Sequence, residues 1–129
     1  RPRGRVVTRA IAAIPLDDES VAIAAALGAW RELCAAAGSE TIVRIEIRRG
    51  RHYRTAEANL SIGDGPGAVA ALKLCEDVRV TAVHHEGALE HHVAGRFRGL
   101  EVRALVHGAD APALLEAFPL CKVAFAKGA

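Results

Sequence analysis

The sequence predicts one α/β domain, with helices and strands mixed along the chain. Short runs of alternating apolar and polar residues are typical of strands, and the segments between them repeat their apolar residues every three or four positions, as helices do. A loop with three alternating glycines joins one such strand to the helix after it. The chain has 129 residues, enough for one core and too few for two ordinary domains. We therefore expect a single domain over residues 1–129.

The composition is that of an ordinary soluble protein. Hydrophobic residues make up 51% and charged residues 25%, and a net charge of +2 gives no electrostatic argument for a nucleic-acid partner. No apolar run approaches the roughly 20 residues of a membrane span, so we expect no membrane partner. The three cysteines are odd in number and widely spaced, which favours free thiols in a cytoplasmic protein and no bound metal: Cys34, Cys75 and Cys121.

The first half of the chain reads as strand, helix, strand and strand. Arg5–Ile14 is a mostly apolar run, and Val21–Ala37 is an amphipathic helix that Gly38 ends. We expect its buried face to consist of Ile23, Leu27, Trp30, Leu33 and Cys34. Residues 41–48 alternate as a half-buried strand, residues 49–51 form a turn, and residues 53–62 return as an extended run. The arginines here are interpreted as a solvated hairpin edge: Arg44, Arg48, Arg49, Arg51 and Arg54.

The glycine loop is the feature most suggestive of a ligand site. Gly63, Gly65 and Gly67 stand between a strand that ends near Ile62 and a helix that begins near Pro66. Strand, glycine-rich turn and helix in this order let a ligand approach bare backbone, although many such turns only connect two elements.

The second half leaves two architectures open. A helix over residues 66–75, a strand over 78–83, a strand over 100–106, a helix from Asp110 and a last strand over 122–126 are predicted directly. Residues 88–98 fit either a helix or a strand, because Leu89, Val93 and Phe97 are four apart and also all at odd positions. A helix would give a mainly parallel sheet, and a strand would give an α+β sandwich with an antiparallel meander over residues 78–107.

Several segments resemble S-adenosylmethionine-dependent methyltransferases of the Rossmann-like class, most closely the decarboxylating precorrin methyltransferases of cobalamin biosynthesis. The resemblance rests on Gly63-x-Gly65-x-Gly67, V-T-A-V at 80–83, G-L-E-V at 99–102, H-G-A-D-A-P-A-L-L at 107–115 and V-A-F-A-K-G at 123–128, with residues 2–62 similar to the family's other half. The order is permuted, since the family's C-terminal part comes first. The resemblance implies a three-layer Rossmann-like domain with a mainly parallel sheet and a helix at 88–98.

The resemblance also implies a cofactor and its site. S-adenosylmethionine would bind over Gly63, Gly65 and Gly67, with His84 near its ribose and Asp110 near its adenine, and its methyl group would pass to a small molecule such as a precorrin or other tetrapyrrole. No catalytic residue is nominated, and a homo-oligomer is compatible with this class. Ser61 and His84 stand where the family carries acids.

The alternative function is a non-catalytic binding or assembly module, either a degenerate relative of these enzymes or an unrelated α+β domain. Three antiparallel strands over residues 78–107 would remove the methyltransferase interpretation. In such a meander His84 and His91 would lie opposite each other, as in a two-histidine metal site, but no carboxylate or thiol completes a ligand set, so we expect surface histidines around a turn.

Overall fold

A computed structural model describes residues 18–49 and 56–125 of the chain. Its elements in order are α1 (Asp18–Ala37), β1 (Val43–Arg49), β2 (Ala56–Ile62), α2 (Ala68–Leu72), β3 (Glu76–His85), β4 (Ala88–Phe97), β5 (Leu100–Val106), a 3₁₀ turn (Gly108–Asp110), α3 (Ala111–Ala117) and β6 (Leu120–Phe125). The predicted strand at Arg5–Ile14, the turn after β1 and the start of the run over residues 53–62 lie outside the described residues.

The six strands form one mixed sheet in the order β1-β2-β5-β4-β3-β6. Two neighbouring pairs are parallel, β2 with β5 and β3 with β6, and the other three are antiparallel. The described residues therefore form a mixed α/β protein, as predicted. The expectation of a mainly parallel sheet is wrong.

Residues 88–98 are the reason for this difference, because they form β4 and not a helix. β4 is joined to its neighbours by Glu86-Gly87 and Arg98-Gly99, two-residue loops in which every φ is positive. That backbone is the one that two-residue hairpin turns require, and glycine adopts it at little cost. Alternate residues of β4 are then buried, including Val93 and Phe97. Strands β3, β4 and β5 form the antiparallel meander that was the alternative architecture.

Helix α1 confirms the predicted helix, and Leu33, Trp30 and Cys34 of the predicted buried face pack in or against the core. Its fully enclosed side chains are mostly alanines at three- and four-residue steps: Ala26, Ala29, Leu33 and Ala37. Leu27 is exposed, while Trp30 is half-buried and its indole Nε1 donates a hydrogen bond to the Val43 carbonyl at 2.8 Å. Small side chains let α1 lie close to the sheet, so the large residues flank the contact. α1 is also long and apolar enough to cross a membrane by length and composition alone, a test that core helices of soluble proteins also pass. The expectation of no membrane partner stays a prediction.

The core lies between the three helices and one face of the sheet. Leu33, Leu72 and Leu114 from the helices join strand residues such as Leu60 and Val102 in a single buried cluster. The strand residues of alternate parity point to the opposite face, which none of the described helices covers. The described part of the chain therefore has two layers, with helices on one side and an open sheet face on the other.

Candidate functional site

The glycine loop after β2 packs against the preceding segment of the same chain. The Gly63 amide donates to the Ile42 carbonyl at 2.7 Å, and the Gly67 amide donates to Thr41 Oγ1 at 2.8 Å. A Cβ at Gly65 would lie 2.5 Å from Thr41 Oγ1, and a Cβ at Gly67 would overlap the carbonyl oxygen of Ala37. These contacts account for the glycines, because a side chain there would collide with the end of α1 or with the residues that follow it.

Thr41 is the residue that sequence reasoning missed at this loop. It is almost fully buried, with 4% of its surface exposed, and its hydroxyl accepts the Gly67 amide across 26 residues of chain. At sequence level Thr41 reads only as the first residue of a strand, since no local spacing links it to the loop. Its role becomes visible only when α1 brings it over the loop.

The five residues proposed for the cofactor lie at one edge of the sheet. Gly63, Gly65 and Gly67 follow the end of β2, His84 lies at the end of β3, and Asp110 follows β5 at the start of α3. β2, β3 and β5 run in the same direction, so these ends meet at the edge where ligands bind in open α/β sheets. Within the described residues no side-chain hydrogen bond or ion pair joins any two of the five. His84 instead stacks on Phe125 with ring centroids 5.0 Å apart, and Asp110 makes no capping bond to α3.

An acid–imidazole pair lies at the same edge. His107 Nδ1 is 3.1 Å from Asp64 Oδ2, and the two side chains are 46% and 36% exposed. Beside it is a depression of about 330 Å³, lined by Glu40, Ile42, Arg44, Ser61, Ile62, Gly63 and Asp64. In the part of the chain that the structure describes, no hydroxyl or thiol is hydrogen-bonded to His107, so none of the described side chains is placed as a nucleophile that this pair could activate.

The histidines of the meander are not arranged as expected. His91 is opposite Ala82 and His84 is opposite Leu89, so the two histidines are offset along the hairpin. His92 is 3.4 Å from Glu90 on the exposed face, while His91 is 4% exposed and its Nδ1 has no hydrogen-bond partner. Among residues 18–49 and 56–125, no three or more His, Cys, Asp or Glu side chains are grouped so that they could hold a metal ion.

The cysteines are free, and the one with a perturbed pKa is poorly suited to nucleophilic chemistry. Burial raises the pKa of the Cys75 thiol to about 11, because the thiolate loses hydration there. At neutral pH this thiol is protonated. Cys75 therefore serves as a small packing residue at the end of α2.

The open sheet face carries charged side chains in two rows that run across the strands. The strand register places the residues of the first row, which we call the basic row, side by side on β1, β2, β5, β4 and β3: Arg44, Ser61, Arg103, Ala94 and Arg79. The next row on the same face, which we call the acidic row, lies two residues away on β1, β2, β5 and β4, and three residues away on β3, where a bulge separates Glu76 from Arg79. Its members are Glu46, Asn59, Glu101, Arg96 and Glu76. Asn59 is half-buried, and the other nine residues of the two rows are exposed.

Few of these charges form ion pairs with other residues among those that the structure describes. Arg103 donates to Glu101 Oε1 at 2.7 and 2.9 Å, and at one edge of the face Arg48 pairs with Glu57 at 3.2 Å. Arg44, Arg79 and Arg96 form no ion pair with any other described residue. Sequence reasoning found the β1 part of this face, where Arg44 and Arg48 are exposed as the alternation predicted. The rows themselves depend on the register of five strands and have no signature along the chain.

No protein-family model, curated protein or solved structure matches this chain. The class that the described residues define is a mixed α/β protein with one open, charged sheet face.

Proposed function

We propose that this chain is a non-catalytic binding and assembly module whose working surface is the open sheet face. The observation that carries the proposal is the pair of rows, in which exposed arginines and glutamates alternate over five neighbouring strands. The partner is a folded protein surface that presents charges in the opposite order.

The balance of charge on this face favours a protein partner over nucleic acid. The basic row carries three arginines, and the acidic row beside it carries three glutamates and one arginine. A phosphate backbone would be attracted to the first row and repelled by the second, and neither row contains an aromatic side chain on which a base could stack. Rows of alternating sign instead provide register and specificity for a matching protein surface.

The glycine loop also supports a binding module over a cofactor-dependent enzyme. A Cβ at Gly65 would meet Thr41 and a Cβ at Gly67 would meet Ala37, so packing within the chain already explains these two glycines without a cofactor. The antiparallel meander of β3, β4 and β5 also differs from the mainly parallel sheet that the methyltransferase resemblance implies.

A photo-crosslinking amino acid placed on the open face tests this function. At Ala94, a small exposed residue of the basic row, we expect the crosslinker to form a discrete adduct with a protein partner. At Ala70, an exposed residue of α2 on the helical side, it should form none. The adduct at position 94 should disappear when Arg79→Glu is added beside it. Equal adducts at both positions, or an adduct that survives the charge reversal, would contradict the proposal.

A second candidate is adenosyl-ligand binding at the edge where β2, β3 and β5 end. It is favoured by the shared location of Gly63, Gly65, Gly67, His84 and Asp110. Calorimetric titration with S-adenosylmethionine and with its demethylated product tests it directly. On the first proposal neither compound produces a binding isotherm at concentrations up to about 1 mM, which corresponds to about −4 kcal/mol of binding free energy.

A further inference from the structure

We infer that the partner of the open sheet face is a second copy of this chain, bound face to face about a two-fold axis that runs across the strands between the basic and acidic rows. The inference rests on the proposed function, and it adds the identity of the partner and the pairing of residues.

The geometry follows from the strand register. The two rows are two residues apart on β1, β2, β4 and β5, or about 6.7 Å. On β3 a bulge separates Glu76 from Arg79 by three residues, and the pairing of Glu76 with Arg96 and of Arg79 with Ala94 keeps each in its row. A two-fold axis lying midway between them, in the plane of the interface, exchanges the rows and leaves the position along each row unchanged. Each residue of the acidic row on one copy therefore faces the residue of the basic row on the same strand of the other copy.

Every acid of the acidic row then meets an arginine. On β1, Glu46 faces the second copy's Arg44, and on β5, Glu101 faces the second copy's Arg103. On β3, Glu76 faces the second copy's Arg79. The two-fold symmetry repeats each contact, so three kinds of pair give six ion pairs in the dimer.

On the two remaining strands the facing residues are matched in size or in hydrogen bonding. On β4 the long side chain of Arg96 faces Ala94 of the second copy, where a small residue leaves room for it. On β2, Asn59 faces Ser61, and both can donate and accept hydrogen bonds. Each of the five strands is thus complementary to itself in charge, size or hydrogen bonding. A face that served only to stay hydrated would not need this order.

The size of the face predicts a weak dimer. Six strands about 4.8 Å apart and about seven residues long give a face on the order of 25 by 20 Å. This is below the roughly 800 Å² that each partner buries in an interface of standard size, so we expect a dissociation constant in the micromolar range or weaker. Because exposed charges carry the contact, added salt should weaken it strongly.

Sedimentation velocity of the full chain is the first test. Between about 10 and about 500 µM protein the chain should shift from monomer to dimer at about 50 mM NaCl, and association should weaken roughly tenfold or more at about 500 mM NaCl. A chain that stays monomeric throughout at low salt would overturn the inference.

Charge reversal at Glu101 and Arg103 tests the pairing. Arg103→Glu alone places glutamates opposite each other across the axis, and Glu101→Arg alone does the same with arginines, so each variant should be monomeric. An equimolar mixture of the two variants should form a heterodimer, because each glutamate then faces an arginine. The double variant Glu101→Arg/Arg103→Glu should dimerise like the natural chain. Circular dichroism checks that each variant is folded.

A dimer that the single reversals leave intact, or a mixture that stays monomeric, would show that this face is not the interface and overturn the inference. A monomeric natural chain whose Ala94 crosslinker still captures a different protein would refute the second copy and leave the proposed function standing. A natural chain that stays monomeric and whose Ala94 crosslinker captures no protein would refute both the second copy and the proposed function.

Discussion

Substitution of Gly67 by alanine tests whether the space beside the glycine loop is occupied by other residues of the chain or is left open for a ligand. The added Cβ would overlap the Ala37 carbonyl oxygen at the end of α1, and it would separate the Gly67 amide from Thr41 Oγ1. Overpacking of this kind costs about 1–3 kcal/mol, and a partly buried amide without its acceptor costs about 1–3 kcal/mol more. We expect the free energy of unfolding to fall by about 2–6 kcal/mol in total. For a chain of this length each kcal/mol lowers Tm by about 2–8 °C, so Tm should fall by at least about 4 °C.

The assay is thermal and urea unfolding followed by circular dichroism, with Gly28→Ala as the matched control. Gly28 lies within α1, and a Cβ there meets nothing within 4 Å. Alanine at this position should raise the free energy of unfolding by about 0.5–1 kcal/mol through helix propensity. Gly67→Ala with an unchanged Tm would refute the reasoning, because the loop would then have space that the chain does not fill.

Thr41 supplies a second test of the same contact. Thr41→Ser keeps the hydroxyl that accepts the Gly67 amide, whereas Thr41→Val replaces it by a methyl group of similar volume. We expect the valine variant to be less stable than the serine variant by about 1 kcal/mol, measured by urea unfolding. Equal stability of the two would show that the hydrogen bond does not hold the loop.

Three further predictions concern the core, the cysteines and the exposed ion pair. Leu114→Ala removes a fully enclosed side chain that ties α3 to the core, and urea unfolding should show a loss of about 2–5 kcal/mol; a loss below about 1 kcal/mol would contradict its place there. Mass spectrometry after alkylation near pH 8 should find the exposed Cys121 modified long before Cys75, and equal alkylation rates would contradict the burial of Cys75. Because the pKa of the Cys75 thiol is raised from 9.0 to about 11 in the folded state, the free energy of unfolding should also fall as the pH rises through that range. Asp64→Asn breaks a pair with His107 that is largely exposed, so stability should change by less than about 1 kcal/mol, and a larger loss would indicate a tighter contact than the structure has.

The elements that could be predicted are those whose apolar pattern fits only one type of secondary structure. α1 and its end at Gly38 could be placed from the apolar period and the glycine, and β1 from its alternation. β4 could not be assigned in the same way, because apolar residues four apart at odd positions satisfy both periods. The deciding signal was Gly87 and Gly99, each the second residue of a two-residue turn with positive φ at both positions. Weighting those dipeptides over the resemblance would have predicted the meander.

The candidate sites were harder to predict because both depend on contacts between distant parts of the chain. The glycine loop was predicted to let a ligand approach bare backbone, whereas in the structure a Cβ at Gly65 would meet Thr41 and a Cβ at Gly67 would meet Ala37. Nothing in the spacing of a G-x-G-x-G loop indicates which of these will fill it. The two rows of the open face are assembled from five strands whose order along the sheet differs from their order along the chain, so only Arg44, Glu46 and Arg48 on β1 were visible in advance.

The most direct test of the central claim, that this chain works through its open sheet face, is an amide NMR spectrum recorded during dilution from about 1 mM to about 10 µM. We expect chemical shifts to change for strand residues of the two rows, such as Ser61, Ala94 and Glu101, and to stay constant for Gly65 and Gly67. A spectrum that is unchanged on dilution but shifts at the glycine loop when S-adenosylmethionine is added would contradict the account.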